Sequence, residues 1–313
     1  MLIAGPNLTI DRTLSIDELR PGEVLRFSRV VVTPGGKGLN VARTARALAH
    51  PALLVAFVPG RTGEAGAALI AEEGVELAAV QCSGELRSTA VVLERSGRTT
   101  VFNEPGPPLG DGDWDRYERE LRARAGGHHV LVCSGSVPPG APADAYARLA
   151  ALAREAGLAC VVDAAGATLV RALAAETDVV VPNLGEAEEV VGAGSRAGEP
   201  VAAAADARPR ALAAAAALVE RGPRAAVVTA AEAGAALAVA GQVPKWLPAP
   251  AIAEVRNPIG AGDVFTSALA AALERGESLA AAARAGVATA AASVESATAG
   301  ELDPGRAREL GAP

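Results

Sequence analysis

The chain has 313 residues and a formal net charge of −7, because 36 Asp and Glu outnumber 29 Lys and Arg. The length suits one large α/β domain, and the acidic balance argues against nucleic acid or an anionic membrane as the main partner, since both attract a basic surface. Hydrophobic residues make up 50% of the chain and charged residues 21%, which is enough to bury a full core and excludes global disorder.

Cysteine and histidine are scarce, with three residues of each. Cys82, Cys133 and Cys160 are far apart and form no CxxC pair, so neither a disulfide framework nor a zinc site of this kind is expected. No apolar run reaches the roughly 18 residues that a membrane span needs, and the first residues lack the basic segment of a secretory leader. We therefore expect a protein of the reducing cytoplasm.

Short apolar runs alternate with helical patterns along most of the chain. The runs, typical of strands that are buried on both faces of a parallel sheet, are at 2–4, 53–58, 75–80, 129–133, 158–162, 178–181 and 225–229. Helical patterns are at 39–49, 63–73, 113–125, 142–156, 166–175, 184–191, 202–221, 262–275, 278–296 and 303–310. This alternation predicts a doubly wound, mostly parallel sheet with helices on both faces.

One interruption of this alternation predicts a lid. Residues 87–103 alternate apolar and polar side chains about a Ser-Gly turn, as in a β-hairpin, and residues 24–32 are also β-rich, whereas the stretch between 4 and 24 shows no strand pattern that we assign. Together these segments predict a small antiparallel sheet beside the main one, built from about 8–34 and 84–107. Such a sheet can cover a bound substrate.

A second hairpin, around Gly241, is expected at the antiparallel edge of the main sheet. No linker or repeat divides the chain, so residues 1–313 are predicted to form a single domain that carries the lid. A sheet of few strands exposes edges and an apolar face, and we expect a homodimer that covers them by pairing the two lids.

The strongest chemical signal is the segment 257–263, Asn-Pro-Ile-Gly-Ala-Gly-Asp, which runs directly into a helical pattern. The small residues Gly260, Ala261 and Gly262 allow backbone N–H groups to converge on an anion at a helix N-terminus. Asp263 would face the same place and could take a proton from an attacking hydroxyl while the N–H groups hold negative charge. The alternative is that Asp263 only caps the helix.

A second glycine-rich segment, Gly-Gly-Lys-Gly-Leu-Asn, precedes the first helical pattern. Gly35 and Gly36 permit close approach of the backbone to a ligand, and Lys37 and Asn40 offer hydrogen-bond donors. The segment is not a P-loop, because Gly38 follows the lysine where that motif needs Ser or Thr. Nor is it the GxGxxG of a nicotinamide dehydrogenase, which disfavours that function.

In chain order, the segment that begins at Gly35 and the segment 257–263 resemble the two signatures of the PfkB family of carbohydrate kinases, whose fold is called ribokinase-like. Shorter stretches at 7–11, 134–140, 182–186 and 228–234 are similar to further family segments. The resemblance implies ATP as co-substrate and Mg²⁺ as the metal. It implies Asp263 as the base, and an anion hole formed by the backbone amides of Gly260, Ala261 and Gly262. It also implies a substrate site formed by Asp11, Gly35, Gly36, Lys37, Asn40, Arg87 and Ser136. The implied nucleotide site comprises Asn183, Thr229, Gly234, Gly260 and Gly262, with Glu186 acting on Mg²⁺ through water.

Within the family, the chain is most similar to the branch of 1-phosphofructokinase and tagatose-6-phosphate kinase. Asn257 and Pro258 stand where ribokinases often have Asp-Thr, and the loop 134–140 has the double proline common in that branch. A sugar phosphate brings about two negative charges, which Lys37 and Arg87 could meet. We therefore predict ATP-dependent phosphorylation of a phosphorylated ketohexose: fructose 1-phosphate, fructose 6-phosphate or tagatose 6-phosphate.

Two alternatives stay open at this stage: a family member that acts on an unphosphorylated sugar or nucleoside, and a catalytically silent sugar-binding protein of the same fold. The chain also departs from the family pattern at two places. Ala231 stands where the nucleotide segment usually has glycine, and the absent Asp-Thr removes the basis for a monovalent cation site, so potassium is not predicted.

Overall fold

Two β-sheets organise the computed structural model, which describes residues 1–192, 204–296 and 302–311. In chain order the strands are β1 Leu2–Ala4, β2 Thr9–Ile16, β3 Arg29–Gly35, β4 Leu53–Phe57, β5 Glu76–Val80, β6 Arg87–Glu94, β7 Thr99–Asn103, β8 Val130–Ser134, β9 Ala159–Asp163, β10 Val179–Val180, β11 Ala225–Thr229, β12 Gly234–Val239 and β13 Lys245–Pro248. The helices are α1 Lys37–Ala47, α2 Gly60–Glu72, α3 Asp113–Arg124, α4 Ala145–Glu155, α5 Gly166–Leu173, α6 Leu184–Val191, α7 Ala204–Val219, α8 Ala261–Glu274, α9 Leu279–Ser293 and α10 Pro304–Gly311. The predicted start of α7 at residue 202 lies outside the described residues.

The main sheet has nine strands in the order β13-β12-β11-β10-β9-β8-β1-β4-β5. Its strands from β11 to β5 are parallel, and β12 and β13 add the antiparallel edge that the hairpin around Gly241 predicts. One apolar core, which includes Tyr117 and Leu149, packs α3 to α7 on one face. A second, which includes Leu39 and Leu269, packs α1, α2, α8 and α9 on the other. The predicted fold class is confirmed.

The second sheet, which we call the lid, has the order β3-β2-β6-β7. Its outer pairs are antiparallel, but the central pair β2–β6 is parallel, so the lid is mixed rather than wholly antiparallel. The reason is topological: β2 and β6 start opposite each other, with Thr9 in register with Arg87, and run outward side by side. The sequence interpretation assigned no strand between residues 4 and 24, and this was wrong, because β2 lies there. Its alternation of Ile10, Leu14 and Ile16 is interrupted by Arg12.

The prediction for 24–32 is only half right, because the strand begins at Arg29 and the residues before it are outside any strand. Apolar side chains on the outer strands of the lid remain exposed. The exposed fraction is 46% for Val30, 44% for Val32, 49% for Val101 and 55% for Phe102.

All three cysteines, Cys82, Cys133 and Cys160, are free thiols. Across the described ranges, no helix combines the length and apolar character that crossing a membrane requires.

Candidate active site

A cavity of about 590 Å³ lies between the lid and the carboxyl edge of the main sheet. Open α/β sheets bind ligands at this edge, where the loops that follow parallel strands converge. The loops after β1 and β8, the start of α1 and the end of the lid all contribute to its wall. Five predicted site residues line it: Gly36, Lys37, Arg87, Ser136 and Glu186.

The two predicted glycines before α1 are required by close packing. A Cβ on Gly35 would lie 2.1 Å from Oδ2 of Asp11, so this glycine makes room for the carboxylate that the sequence assigned to the sugar. Gly36 caps α1 with a φ of 117°, a backbone conformation that L side chains rarely adopt. In the described residues, Asp11 Oδ1 is buried without a hydrogen-bond partner, and burial raises the pKa of this carboxyl. An acceptor in this state suits a sugar hydroxyl.

Lys37 is held by a carboxylate that the sequence did not single out. Its Nζ donates to Asp163 Oδ1 at 2.9 Å, and the other oxygen of Asp163 accepts from Ser134 Oγ at 3.3 Å. Burial alone would lower the pKa of Lys37, but the nearby charges of Asp163 and Asp263 raise it well above its usual value. The lysine is therefore a permanent cation at the cavity wall. Asp163 is the last residue of β9, and that position at the carboxyl edge was the available signal.

Asp263 lies in the first turn of α8 and is buried. The N-cap of this helix is Gly260, with φ 84°, and no side chain caps it, so the capping alternative for Asp263 is wrong. Asn40 Nδ2 donates to Asp263 Oδ2 at 2.8 Å. Burial, together with the charge of Asp163, raises the pKa of Asp263 to about 7, against the opposing effects of Lys37 and Asn40. This carboxylate can take a proton near neutral pH.

The amide of Asn40 is oriented by Arg43, a residue that the sequence suggested only for helix pairing. Arg43 Nη1 donates to Asn40 Oδ1 at 3.0 Å, and its other nitrogens bind Glu73 and the carbonyl of Pro34. With its oxygen occupied in this way, Asn40 turns its Nδ2 toward Asp263. Asp263 is therefore positioned through a chain of side chains that starts at Glu73, the residue that follows α2.

The N-terminal end of α8 is open to a ligand. Helix geometry leaves the first N–H groups without intrahelical acceptors, and the aligned peptide dipoles place partial positive charge there. A Cβ built on Gly262 meets no heavy atom within 4 Å. The N–H of Ala261 donates to the carbonyl of Pro258 at 3.3 Å. The segment still offers positive potential and room beside Asp263, which together suit a phosphoryl group.

Asn183 and Glu186 start α6 as a capping box. Asn183 Oδ1 accepts from the N–H of Glu186 at 2.9 Å, and Glu186 Oε2 accepts from the N–H of Asn183 at 2.9 Å. Thr229 donates its backbone N–H to Pro182 and pairs with Asn183, which joins the end of β11 to this corner. Thr229 and Gly234 do not line the sugar-side cavity.

Gly234 is required by strand pairing, because a Cβ there would lie 2.1 Å from the carbonyl oxygen of Leu247. Ala231 has a φ of 47°, in the left-handed region that favours glycine. The departure from the family pattern therefore has a conformational cost of about 1–2 kcal/mol.

Arg87 and Asn7 connect the lid to the main sheet. Arg87 donates to the backbone carbonyls of Leu8, Glu104 and Asn7, each at 3.2 Å. Asn7 Nδ2 donates to Ser136 Oγ at 2.9 Å, and its buried Oδ1 has no partner in the described part of the chain. Because a guanidinium has five N–H donors and Arg87 uses three on these carbonyls, two of its donors remain for a ligand.

The similarity of this chain to known proteins agrees with the geometry of the site. The model of the family described as pfkB family carbohydrate kinase matches residues 7–304. The chain belongs to this family. ATP-dependent 6-phosphofructokinase isozyme 2 of Mycobacterium tuberculosis (strain H37Rv) is 31% identical over 288 residues, covering 91% of this chain and 81% of the relative. A 1-phosphofructokinase of Xanthomonas campestris pv. campestris is 32% identical over 274 residues, covering 85% and 82%.

Solved structures agree. Phosphofructokinase-2 from Escherichia coli in complex with fructose-6-phosphate matches this PfkB-family chain with a TM-score of 0.84 and 26% identity, covering 99% of this chain and 97% of that one. The ribokinase of Arabidopsis thaliana, at 22% identity and a TM-score of 0.77, supports the fold. The predictions of the family, of the ribokinase-like fold and of a carbohydrate kinase are confirmed.

The family implies a divalent metal, and the oxygen donors at the start of α6 bear on whether this chain can hold one. Mg²⁺ binds oxygen ligands, keeps several waters and often takes only one or two carboxylates plus phosphate oxygens. Glu186 lines the cavity, and only its Oε2 is used in the capping box. No group of three His, Cys, Asp or Glu that could hold a metal occurs among the described residues, so phosphates and water would complete the shell. On this basis the residues fit Mg²⁺.

Proposed function

We propose that this chain transfers the γ-phosphoryl group of ATP to a hydroxyl of a phosphorylated ketohexose. The observation that carries the proposal is Asp263, a buried carboxylate with a pKa raised to about 7, bonded to Asn40 and placed beside the open N-terminus of α8. The relatives named above are phosphofructokinases, which favours a fructose phosphate over the other ketohexose phosphates.

In the proposed reaction, Asp263 accepts the proton of the sugar hydroxyl as its oxygen attacks the γ-phosphorus. The bond from that phosphorus to the β–γ bridging oxygen breaks, and ADP leaves with the electron pair. The first-turn amides at 260–262 hold the charge on the transferring group, and positioning supplies most of the rate. The lid keeps out water, which would otherwise accept the phosphoryl group.

Two cations would hold the phosphate that the sugar already carries. Lys37 Nζ has three N–H donors, of which one is occupied by Asp163, and Arg87 keeps two free N–H donors after binding three carbonyls. Both residues line the same cavity. Asp11 Oδ1, the buried acceptor, would take a sugar hydroxyl on the lid side.

The substrate class is tested by ADP release with Mg·ATP across free and phosphorylated ketohexoses, in the wild type and in Arg87→Ala. Charge-assisted hydrogen bonds are worth enough that losing Arg87 should lower kcat/KM for the phosphosugar by about 10- to 150-fold. The free sugar should lose far less. Lys37→Ala should reduce turnover of both, because Lys37 also holds Asp163.

The control is Arg29→Ala, which removes an exposed arginine at the edge of the lid. Equal losses on both substrates in Arg87→Ala would contradict a role in reading the phosphate. A wild type that prefers the free sugar would contradict the proposed substrate class.

We further propose that the metal is Mg²⁺ and that Glu186 acts on it through water. When bound, the ion neutralises charge on the β- and γ-phosphates. The fit of the oxygen donors at α6 supports this assignment. Glu186→Gln keeps the capping hydrogen bond but removes the charge, so it should raise the Mg²⁺ concentration needed for half-maximal activity more than it changes the sugar KM. An unchanged Mg²⁺ midpoint would argue against the role.

Escherichia coli phosphofructokinase-2, which matches this chain with a TM-score of 0.86, has been solved with potassium. Here Asn257 and Pro258 precede the glycines, and we propose that activity does not need potassium. Activity that disappears when sodium replaces potassium would contradict this.

We also propose that the protein is cytoplasmic, where its three free thiols stay reduced, and that it forms a homodimer through the lids. The exposed valines and Phe102 of the lid support that interface. A structure of the Escherichia coli relative is described as a tetrameric inhibited form. Light scattering on the wild type and on Val32→Glu tests the interface, and a wild type that is monomeric at micromolar concentration would contradict it.

A further inference from the structure

A groove between α8, α9 and α10 lies away from the catalytic cleft. Its volume is about 530 Å³, within the range of roughly 300–1,000 Å³ that is common for small-molecule sites. It reaches Arg275, at the end of α8 opposite Asp263. At 1.5 Å per helical residue, roughly 18 Å separate these two positions along the helix axis. The groove is therefore a separate place in the molecule.

Three arginines from three different segments line the groove. Arg275 follows α8, Arg284 lies on α9 and Arg308 lies on α10. The lining contains one acid, Glu277, whose Oε1 accepts from both Nε and Nη2 of Arg275, at 2.9 and 2.7 Å. Within the part of the chain that the structure describes, Arg284 and Arg308 have no carboxylate within 4.0 Å. The groove thus holds two uncompensated positive charges in a chain whose net charge is −7.

The arrangement on α10 separates two kinds of arginine. Arg306 is not part of the groove wall and is paired with Glu295 at 2.8 Å and Glu309 at 3.2 Å. Arg308, two residues later, is turned into the groove. On this helix Arg306 therefore pairs with acids, whereas Arg308 has no acidic partner among the described residues.

Small side chains give the groove its depth. Ala281, Ala285 and Ala288 follow one another along one face of α9, and together with Ala268 of α8 they line the groove. Larger residues at these positions would fill the space between the three arginines. The shape and the charge both suit a compact, multiply charged anion.

We propose that this groove binds a small molecule that carries two or more phosphate groups, at a site distinct from the catalytic cleft. Guanidinium groups present planar forks of N–H donors that match phosphate oxygens, and such charge-assisted hydrogen bonds are among the strongest in proteins. With Arg275 partly engaged by Glu277, Arg284 and Arg308 supply the charge that is free to meet the ligand. A sugar bisphosphate and a nucleoside diphosphate share this chemistry.

Residue-resolved protection tests the site. The wild-type protein is treated with phenylglyoxal, with and without inorganic pyrophosphate, and modification of each arginine is followed by mass spectrometry. We expect pyrophosphate to slow modification of Arg284 and Arg308 about tenfold or more. The matched controls are Arg119 and Arg171, which are also exposed and lack an acidic partner among the described residues. Slowing at all four arginines alike, or at none, would overturn the proposal.

Separate arms with ADP and with fructose 1,6-bisphosphate distinguish the sources of the phosphate groups. The variant that combines Arg284→Ala and Arg308→Ala should lose one class of pyrophosphate sites in isothermal titration and keep the wild-type kcat. If that variant does not fold, the pair Arg284→Lys and Arg308→Lys replaces it and should weaken binding at the same class of sites. A full complement of sites in a folded double variant would contradict the proposal.

Discussion

The helices α1 and α8 begin in the same way, but their first turns lie in different environments. Each starts at a glycine with positive φ, Gly36 at 117° and Gly260 at 84°, and the two helices meet through the hydrogen bond from Asn40 to Asp263. Their environments differ. The start of α1 is packed against the main sheet, whereas the start of α8 is open.

The glycines two residues further on show the difference. A Cβ on Gly38 would lie 2.5 Å from the Cα of Gly5, so Gly38 is required by backbone packing. A Cβ on Gly262 would meet no heavy atom within 4 Å. Because none of the described residues fills that space, we propose that a ligand uses it. The two matching positions thus differ: Gly38 is required by packing, and we propose that Gly262 serves a ligand.

The charges in the two first turns differ as well. A cation near a helix N-terminus opposes the helix dipole, at a cost of about 0.3–1 kcal/mol. Lys37 occupies that unfavourable place on α1 and is stabilised by Asp163, while Asp263 occupies the favourable one on α8. A lysine kept against its local electrostatic preference points to a role in binding.

The largest expected effect comes from Asp263, the base that we propose on α8. Asp263→Asn should lower kcat by about 10²- to 10⁴-fold, because the amide cannot take the proton, while ATP and sugar binding should change by only a few-fold. Single-turnover rates and equilibrium titrations measure the two quantities separately. A variant that keeps more than about a tenth of the wild-type kcat would show that the base contributes less than expected of general base catalysis.

The glycine pair provides a matched comparison. Gly38→Ala should reduce the free energy of unfolding by about 1–3 kcal/mol, because the backbone must move to admit the methyl group. Gly262→Ala should raise it by about 0.5–1 kcal/mol, because alanine favours the helix. Urea unfolding measures both.

The effect on activity should be the reverse of the effect on stability, with Gly262→Ala as the more damaging change. Gly262→Ala should lower kcat by about tenfold or more, because its methyl group occupies the place where the phosphoryl group approaches the amides. If Gly262→Ala were fully active, or were less stable than Gly38→Ala, the distinction between a structural and a functional glycine would fail.

A smaller effect is expected from the carboxylate between the two helices. The charge of Asp163 is one cause of the raised pKa of Asp263, after burial. Asp163→Asn should therefore lower the pKa of Asp263 and move the acidic limb of the pH profile of kcat/KM toward lower pH. Glu155→Gln, at an exposed carboxylate on α4, is the control and should leave the profile unchanged. A shift toward higher pH in Asp163→Asn would contradict this electrostatic account.

The sequence by itself predicted the strand and helix alternation, the hairpins and the two glycine-to-helix junctions. These features depend on near neighbours: the period of apolar residues, the freedom of glycine and the donors of a helix N-terminus act within a few residues of chain. For this reason local pattern could single out Asp263, Asn40 and Lys37, whose roles stay predictions, and the bounds of most elements moved by only a few residues.

Only the tertiary structure decided which distant groups meet. Asp163 is the last residue of a buried strand, and it became the partner of Lys37 because strand order brings β9 beside β8 and close to α1. The parallel pairing of β2 with β6 and the three carbonyls bound by Arg87 likewise join residues that are far apart in the chain. Strand order and burial set these contacts, and burial in turn raises the pKa of Asp263, so neither could be read from local pattern.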